Sequence, residues 1–237
     1  GNPAVTLTIA NFGFSDVDSS DSLKAVRIDS LPAVGTLTLN GSAVTASTLI
    51  SASDIMAGRL VFRDSSTALA TNQAQFTFTV QDQSNAFAQS ANTLTINRAP
   101  EVSSFASQSL VEPIGVGALT TTIPVSFSDR DTGDVGHTIS VSGVTALGAV
   151  AGLSDISNTQ LLSWLTPPGS VTKLANSSTG SAELTFNAPA SALDYLSHGQ
   201  TLTLNYQVAV NDGDGGVLTQ TAALTITGTN DAPVVAP

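Results

Sequence analysis

Three observations predict an all-β chain of two tandem Greek-key β-sandwich domains. Hydrophobic residues make up 41% of the 237 residues and aromatic residues only 5%, while Thr, Ser, Val and Gly are abundant. This composition, without a helical period, favours strands. Short alternating runs follow one another throughout the chain, as β-sandwiches require. One short phrase also recurs three times, which indicates a tandem array.

The recurring phrase marks the domain boundaries. Its copies are Asn2-Pro3-Ala4-Val5, Asn97-Arg98-Ala99-Pro100-Glu101-Val102 and Asn230-Asp231-Ala232-Pro233-Val234-Val235. Proline cannot donate to a strand ladder and therefore ends the strand before it. We predict one domain over residues 1–98, a second over 99–231, and the start of a further linker or domain at 232–237, in an elongated arrangement.

Alternating runs predict six strands in the first domain, at residues 5–14, 23–29, 36–40, 59–63, 74–81 and 91–97. Asn40-Gly41 is a hairpin signature. A short helix is predicted within residues 47–58, with Leu49, Ile50, Ile55 and Met56 facing inward.

The second domain also has six predicted strands, at residues 109–112, 121–128, 137–142, 182–186, 201–210 and 218–227. A helical turn is expected near 155–165, ending before Pro167-Pro168-Gly169. Its apolar residues are expected to cover the core rather than bind a ligand: Leu161, Leu162, Trp164 and Leu165.

The charge balance limits the partners of the chain. The chain has seven Lys and Arg residues and eighteen acidic residues, of which fifteen are Asp, so its net charge is −11. Without a basic patch to meet phosphates, nucleic acid and anionic membranes are disfavoured, and neither is expected as a partner. The absence of Cys excludes disulfides and thiolate metal sites. An extracellular protein of this composition needs another staple, for which a metal ion is the natural substitute.

An acidic motif, F-S-D-x-D-x-x-D, occurs at residues 14–21 and again at 127–134. Two carboxylates about 4 Å apart repel each other by roughly 4 kcal/mol at an effective dielectric constant of about 20. A hard divalent cation with oxygen ligands, most plausibly Ca²⁺, is expected to sit among them.

Loop parity predicts which acidic residues meet. In a sandwich, alternate loops lie at the same end, so the motif should meet the hairpin between the last two strands. In the first domain, the candidate ligands are Asp16, Asp18, Asp21 and Asp82. In the second domain, at the end expected to adjoin the first domain, they are Asp129, Asp131, Asp134, Asp212 and Asp214. The linker residues Asn97 and Asp231 are candidates too. The alternative is that these Asp residues only cap turns. An EF-hand at Asp212 is rejected, because its twelfth position is Ala223.

Four stretches of the second domain carry a family resemblance: Ser128-Asp129-Arg130-Asp131, Leu196-Ser197-His198-Gly199-Gln200-Thr201-Leu202, the run from Tyr206 to Gly216, and the run from Ile226 to Pro233. On these residues the domain resembles the VCBS repeat of giant bacterial surface proteins.

In the first domain, the runs from Ala25 to Pro32, Gly35 to Gly41 and Phe76 to Asp82 look like the cadherin-like or Ig-like repeats of RTX-type adhesins exported by type I secretion. The two resemblances imply a secreted, cell-surface array of β-sandwiches with calcium within or between domains. They also imply roles in adhesion and biofilm formation, and neighbouring repeats of the same chain as partners.

One position departs from the pattern. The third linker copy has Asn230-Asp231 where the second has Asn97-Arg98, so a cation replaces an expected acidic ligand. Either Arg98 neutralises Asp129 and Asp131 itself, or it points away and Glu101 or backbone carbonyls complete a calcium shell.

Three functions compete, none of them catalytic, since His137 and His198 lie in no catalytic motif and a sugar-cleaving cleft would need more aromatic residues. The first is a monomeric structural extender that holds an adhesive tip away from the cell. The second is an adhesion module binding a glycan or peptide of a host or other surface, which a buried Trp164 would weaken. The third is homophilic, cadherin-like pairing.

Overall fold

The computed structural model describes residues 4–18, 20–64, 74–102, 105–114 and 117–231. Asn2-Pro3 of the first linker copy and the predicted further linker at 232–237 lie outside these residues. The chain divides into two compact units. Unit 1 is Gly1–Arg98 with Arg130–Gly133, and unit 2 is Ala99–Asp129 with Asp134–Pro237.

Unit 1 is a sandwich of two four-stranded antiparallel sheets. Its strands are β1 (Ala4–Thr6), β2 (Leu23–Ile28), β3 (Thr36–Leu39), β4 (Ser42–Ala43), β5 (Leu49–Ser51), β6 (Leu60–Arg63), β7 (Ala74–Asp82) and β8 (Asn92–Ile96). They form sheets in the orders β1-β6-β3-β4 and β5-β2-β7-β8. A 3₁₀ helix (Ile9–Phe12) and helix α1 (Ala52–Met56) complete it. Buried residues of both sheets, such as Ile28, Phe62 and Phe76, form one core.

Unit 2 is a second sandwich. Its strands are β9 (Gln108–Val111), β10 (Ala118–Ser128), β11 (Thr138–Gly148), β12 (Leu165–Thr166), β13 (Thr172–Lys173), β14 (Thr179–Pro189), β15 (Thr201–Asn211) and β16 (Val217–Thr227). One sheet has the order β10-β14-β12, with β13 also paired to β14, and the other has the order β11-β15-β16-β9. Helix α2 spans Asn158–Ser163, and 3₁₀ helices span Ala151–Leu153 and Ala190–Ala192.

The long strands of unit 2 alternate between its sheets. Along the chain, β10 lies in one sheet, β11 in the other, β14 again beside β10, and β15 beside β11. Such crossing connections are those of a Greek key. Strand β9 pairs with β16 in parallel, unlike the other strand pairs described in this unit. The prediction of all-β sandwiches is therefore confirmed.

The predicted strand at residues 5–14 is wrong beyond Thr6. A 3₁₀ helix replaces its second half because Asn11 Oδ1 accepts from the N–H of Thr8 at 2.7 Å. The helix then ends at Gly13, whose φ of 51° is in the left-handed region that glycine tolerates. Local side-chain hydrogen bonds of this kind compete with strand pairing.

The helix predicted within residues 47–58 is shorter than expected, since residues 49–51 form β5. Strand alternation buries Ile50 and leaves Leu49 50% exposed, so the inward placement of Leu49 is wrong. Met56 ends α1 and is 71% exposed, which corrects its placement too, while Ile55 is buried as predicted. The Asn40-Gly41 hairpin is confirmed, with φ of 50° and 80°.

The helical segment of unit 2 covers the core as predicted. Leu161 and Leu165 are buried, and Trp164 is only 6% exposed. The Trp164 ring meets Phe186 edge-on at 6.4 Å between centroids. The buried hydroxyl of Tyr206 donates to the Leu161 carbonyl at 2.8 Å, which ties the helix to the second sheet.

Phe127 anchors the end of β10 next to the second acidic motif. It is buried and pairs in register with Gly180 on β14. Its ring stacks on the His137 imidazole, with 4.9 Å between centroids. This packing fixes the backbone two residues before Asp129.

We expect Gly180→Ala to destabilise unit 2 by about 1–3 kcal/mol, the usual cost of overpacking. A Cβ at Gly180 would lie 2.2 Å from Phe127 Cζ. Denaturant unfolding followed by the fluorescence of Trp164, the single Trp of the chain, measures the loss. Gly169→Ala is the matched control, because a Cβ there meets no atom within 4 Å. Equal losses in both variants would contradict the packing argument.

Candidate metal centres

The first group of carboxylates lies in unit 1. One oxygen each of Asp16, Asp21 and Asp82 lie within 4.8 Å of one another; we name these residues the Asp16 cluster. The loop that leads into β2 supplies Asp16 and Asp21, and the last residue of β7 supplies Asp82. A local hydrogen bond helps to fold the loop, since the N–H of Asp18 donates to the side-chain oxygen Asp16 Oδ1 at 2.9 Å.

The Asp16 cluster is open to solvent. Asp16 is exposed, while Asp21 and Asp82 are half-buried. Asp82 Oδ1 accepts the N–H of Ala86 at 2.8 Å, and the Ser84 hydroxyl donates to Asp21 Oδ2 at 3.3 Å. The donor set consists of hard oxygens, which suits Ca²⁺ or Mg²⁺ rather than a soft metal.

The second group lies in unit 2 and consists of Asp129, Asp134 and Asp212, again with one oxygen each within 4.8 Å of the others. We name it the Asp129 cluster. Asp129 directly follows β10 and Asp212 directly follows β15, so two strands of different sheets bring them together. Asp129 and Asp212 are both buried.

The glycine-rich hairpin between β15 and β16 encloses the Asp212 carboxylate. Asp212 Oδ1 accepts the N–H groups of Asp214 at 2.8 Å and Gly216 at 2.9 Å. A Cβ at Gly216 would lie 2.1 Å from Asp212 Oδ2, so only glycine fits there without rearrangement. The loop thus holds the Asp212 carboxylate in a fixed position.

Two basic side chains contact the Asp129 cluster. His137 Nε2 lies 2.6 Å from Asp129 Oδ2, both side chains being fully buried. His137 Nδ1 is buried without a hydrogen-bond partner in the described part of the chain. The Lys173 ammonium donates to the backbone carbonyl of Asp134. The protein therefore supplies donors to this cluster, and His137 acts in it although its sequence context predicted only a strand residue.

The remaining aspartates among the predicted ligands are not members of either cluster. Asp18, Asp214 and Asp231 are exposed and outside both groups, and Asn97 is half-buried beside Arg98. Asp131 is buried and binds Arg98 instead, with Arg98 Nη2 at 2.8 Å from Asp131 Oδ1. The alternative in which Arg98 points away is therefore wrong.

Sequence reasoning missed two buried carboxylates. Asp64 accepts Arg98 Nη1 at 3.0 Å, although it follows β6 outside any acidic motif. Glu112 follows β9, and its Oε2 accepts the N–H of Thr229 at 2.9 Å. Its Oε1 has no hydrogen-bond partner among the residues described. The one available clue was a Glu directly after an apolar strand, in a chain with only three Glu.

A groove of about 760 Å³ in unit 2 bears on the ligand-binding alternative. Its lining includes Gln160, Ser163, Trp164, Asn187 and Tyr195. Because Trp164 is buried, it offers little ring surface for a ligand to stack on. The groove thus weighs against this alternative.

No family model and no curated protein matches the chain. Similar solved structures include AggA, the major subunit of aggregative adherence fimbriae type I of Escherichia coli, at 12% identity and a TM-score of 0.31, over 56% of this chain and 98% of that one. Cadherin-like domains 1 to 4 of zebrafish RET match at 10% identity and a TM-score of 0.28, over 85% of this chain and 42% of that one. EC1-2 of human mucin-like protocadherin matches at 16% identity and a TM-score of 0.27, over 92% of this chain and 87% of that one. Such low TM-scores carry no argument about function, and the VCBS resemblance stays a prediction.

No helix in the described part of the chain has both the length and the hydrophobicity that crossing a membrane requires.

The Glu112 carboxyl gives unit 2 a pH dependence. Burial and the charges of Asp231 and Asp194 raise the pKa of Glu112 above its usual range, against the hydrogen bond from Thr229, which lowers it. Between the usual and the raised pKa, the folded protein binds more protons than the unfolded chain. The contribution of Glu112 to stability therefore falls as pH rises through that window.

We expect Glu112→Gln to raise the free energy of unfolding at neutral pH, with the gain shrinking as pH falls to the usual pKa of Glu, about 4.3. The amide oxygen can still accept from Thr229. Denaturant midpoints measured across this range test the effect, with Glu183→Gln on the exposed face of β14 as control. A gain that is independent of pH would contradict it.

Proposed function

We propose that the chain consists of calcium-binding structural extender repeats of a large secreted bacterial adhesin, whose β-sandwiches hold an adhesive tip away from the cell. The observation that carries this proposal is the same three-carboxylate cluster built twice, once in each unit. The resemblance to VCBS and RTX-type repeats adds support for the adhesin context and a role in biofilm formation.

The two clusters use equivalent positions. In each copy of F-S-D-x-D-x-x-D, the first and last Asp join the cluster, Asp16 with Asp21 and Asp129 with Asp134. The third member lies at the end of a late strand in both units: Asp82 is the last residue of β7, and Asp212 directly follows β15. Turn capping by single Asp residues would not require the same three oxygens to converge in two independent sandwiches.

Calcium is the ion that suits this chemistry. Carboxylates at such distances repel one another unless a cation lies among them. Extracellular calcium modules bind at about 0.1–1 mM, so millimolar calcium contributes on the order of 1 kcal/mol per site. This is modest for folding, but enough to order a loop or linker that would otherwise move.

The extender role is favoured over a ligand-binding role by the surface of the chain. Interfaces that bind tightly are enriched in Trp, Tyr and Arg, and this chain has one Trp, which is buried, and two Tyr. Its partners are then the neighbouring repeats of the same chain at the cell surface.

Calorimetric titration tests the clusters separately. We expect wild type to bind calcium with a Kd of about 0.1–1 mM and saturation to raise Tm by about 2–4 °C per site. Asp16→Asn with Asp82→Asn should remove binding in unit 1, and Asp129→Asn with Asp212→Asn binding in unit 2. Asp214→Asn is the control, because Asp214 adjoins Asp212 but lies outside the cluster. Wild type that binds no calcium would end the proposal.

Small-angle scattering tests the extender role itself. We expect chelation to change the wild-type profile toward that of a more flexible particle, because calcium no longer orders the loops. A variant lacking both clusters should give that flexible profile with or without calcium. If wild-type scattering does not respond to chelation although calorimetry shows binding, calcium does not stiffen the chain.

A further inference from the structure

Arg98 is the largest of the fully buried side chains, which is unusual for a cation. Its Nε and Nη2 lie 3.0 and 2.8 Å from Asp131 Oδ1, and its backbone N–H donates to Asp131 Oδ2 at 2.6 Å. Both residues belong to unit 1. Arg98 thus binds both oxygens of one carboxylate with three donors.

The same guanidinium binds a second buried carboxylate. Arg98 Nη1 lies 3.0 Å from Asp64 Oδ2, and Arg130 Nη1 lies 3.3 Å from that oxygen. Two arginines and two aspartates therefore form one buried network within unit 1. We name Arg98, Asp64, Asp131 and Arg130 the arginine network.

The network balances its own charge. Burial lowers the pKa of Arg98, but its hydrogen bonds and charge interactions with Asp131 and Asp64 raise it more, so the net pKa is above its already high usual value. A guanidinium also stays protonated at every pH at which proteins fold. Removing one member of such a network takes away part of the compensation of the other buried charges, which is destabilising.

The segment that Arg98 holds is flanked by the Asp129 cluster. Arg130–Gly133 groups with unit 1, while Asp129 and Asp134 on either side of it are members of the cluster in unit 2. The middle Asp of the motif is therefore compensated by a side chain, and the first and last Asp meet the third carboxylate of the cluster.

We propose that the Arg98 guanidinium is a built-in cation that takes the place of a metal ion between Asp64 and Asp131. It keeps the segment Arg130–Gly133 attached to unit 1 whether or not calcium is present. Without the Arg98 side chain, Asp131 loses two donors and Asp64 loses one, and we expect a divalent cation to restore part of the attachment. This inference goes beyond the proposed function and holds even if neither cluster binds calcium.

NMR of the wild-type chain tests the first half of the proposal. We expect the Arg98 backbone N–H and Nε–H to exchange with water at least roughly tenfold more slowly than those of Arg59, whose side chain is 53% exposed. Excess chelator should leave the Arg98 rates unchanged. Arg98 signals that become fast on chelation would overturn the proposal, because the attachment would then depend on a metal.

Variants test the second half through hydrogen exchange of residues 130–133, with calcium chloride or chelator alone as the probe. In Arg98→Gln, exchange in chelator should rise by roughly tenfold or more, and millimolar calcium should reverse much of the rise. Arg98→Lys keeps the charge and should stay insensitive to calcium. Arg59→Gln is the control with the same charge change.

The outcomes of these experiments distinguish the proposal about Arg98 from the proposed calcium-binding function. Protection in Arg98→Gln equal to wild type in chelator, or a rise that calcium does not reverse, overturns the built-in cation. If Arg98→Gln does not fold, wild type and Arg98→Lys still decide, since calcium-dependent protection in either contradicts the proposal. A wild type that binds no calcium in calorimetry refutes only the calcium-binding function.

Discussion

The structure depends on one electrostatic constraint, the compensation of short carboxylates that the fold forces together on a chain with eighteen acidic and seven basic residues. Burying a charged group costs a large amount of free energy unless an opposite charge or hydrogen bonds compensate it. Where burial is complete, the protein supplies the partner, as Arg98 does for Asp131. Where the carboxylates stay open, as in the Asp16 cluster, their oxygens are accessible to solvent and to any cation in it.

The repeated motif separates its Asp residues in a consistent way. In unit 1, the turn that bonds the Asp18 N–H to Asp16 Oδ1 leaves the Asp18 side chain exposed and outside the cluster. In unit 2, the equivalent middle residue is Asp131, which is held by Arg98. One loop sequence thus presents its outer carboxylates to one site and its central carboxylate elsewhere. The arginine network therefore includes the middle Asp of the motif, Asp131, which is not a member of the Asp129 cluster.

Much of the fold could be predicted because its determinants are local. Alternation located the long strands, and Asn40-Gly41 specified a hairpin through its left-handed φ values. Loop parity brought the motif and the late hairpin together. The prediction failed where a side chain redirected the backbone, as Asn11 does before β2. The buried contacts of Asp64 and Glu112 could not be predicted, because their partners, Arg98 and Thr229, are distant in sequence and no spacing rule links them.

The two clusters differ in how much an ion would change them. Asp212 is already held by two backbone N–H groups and Asp129 by His137, so the Asp129 cluster is ordered in advance. An ion entering it would lose little free energy to ordering these side chains, but would compete with the N–H groups that already bond Asp212. The exposed Asp16 cluster keeps more of its charge available and must order side chains on binding. The ordering effect of a bound cation would therefore be larger in unit 1, where the cluster is more exposed.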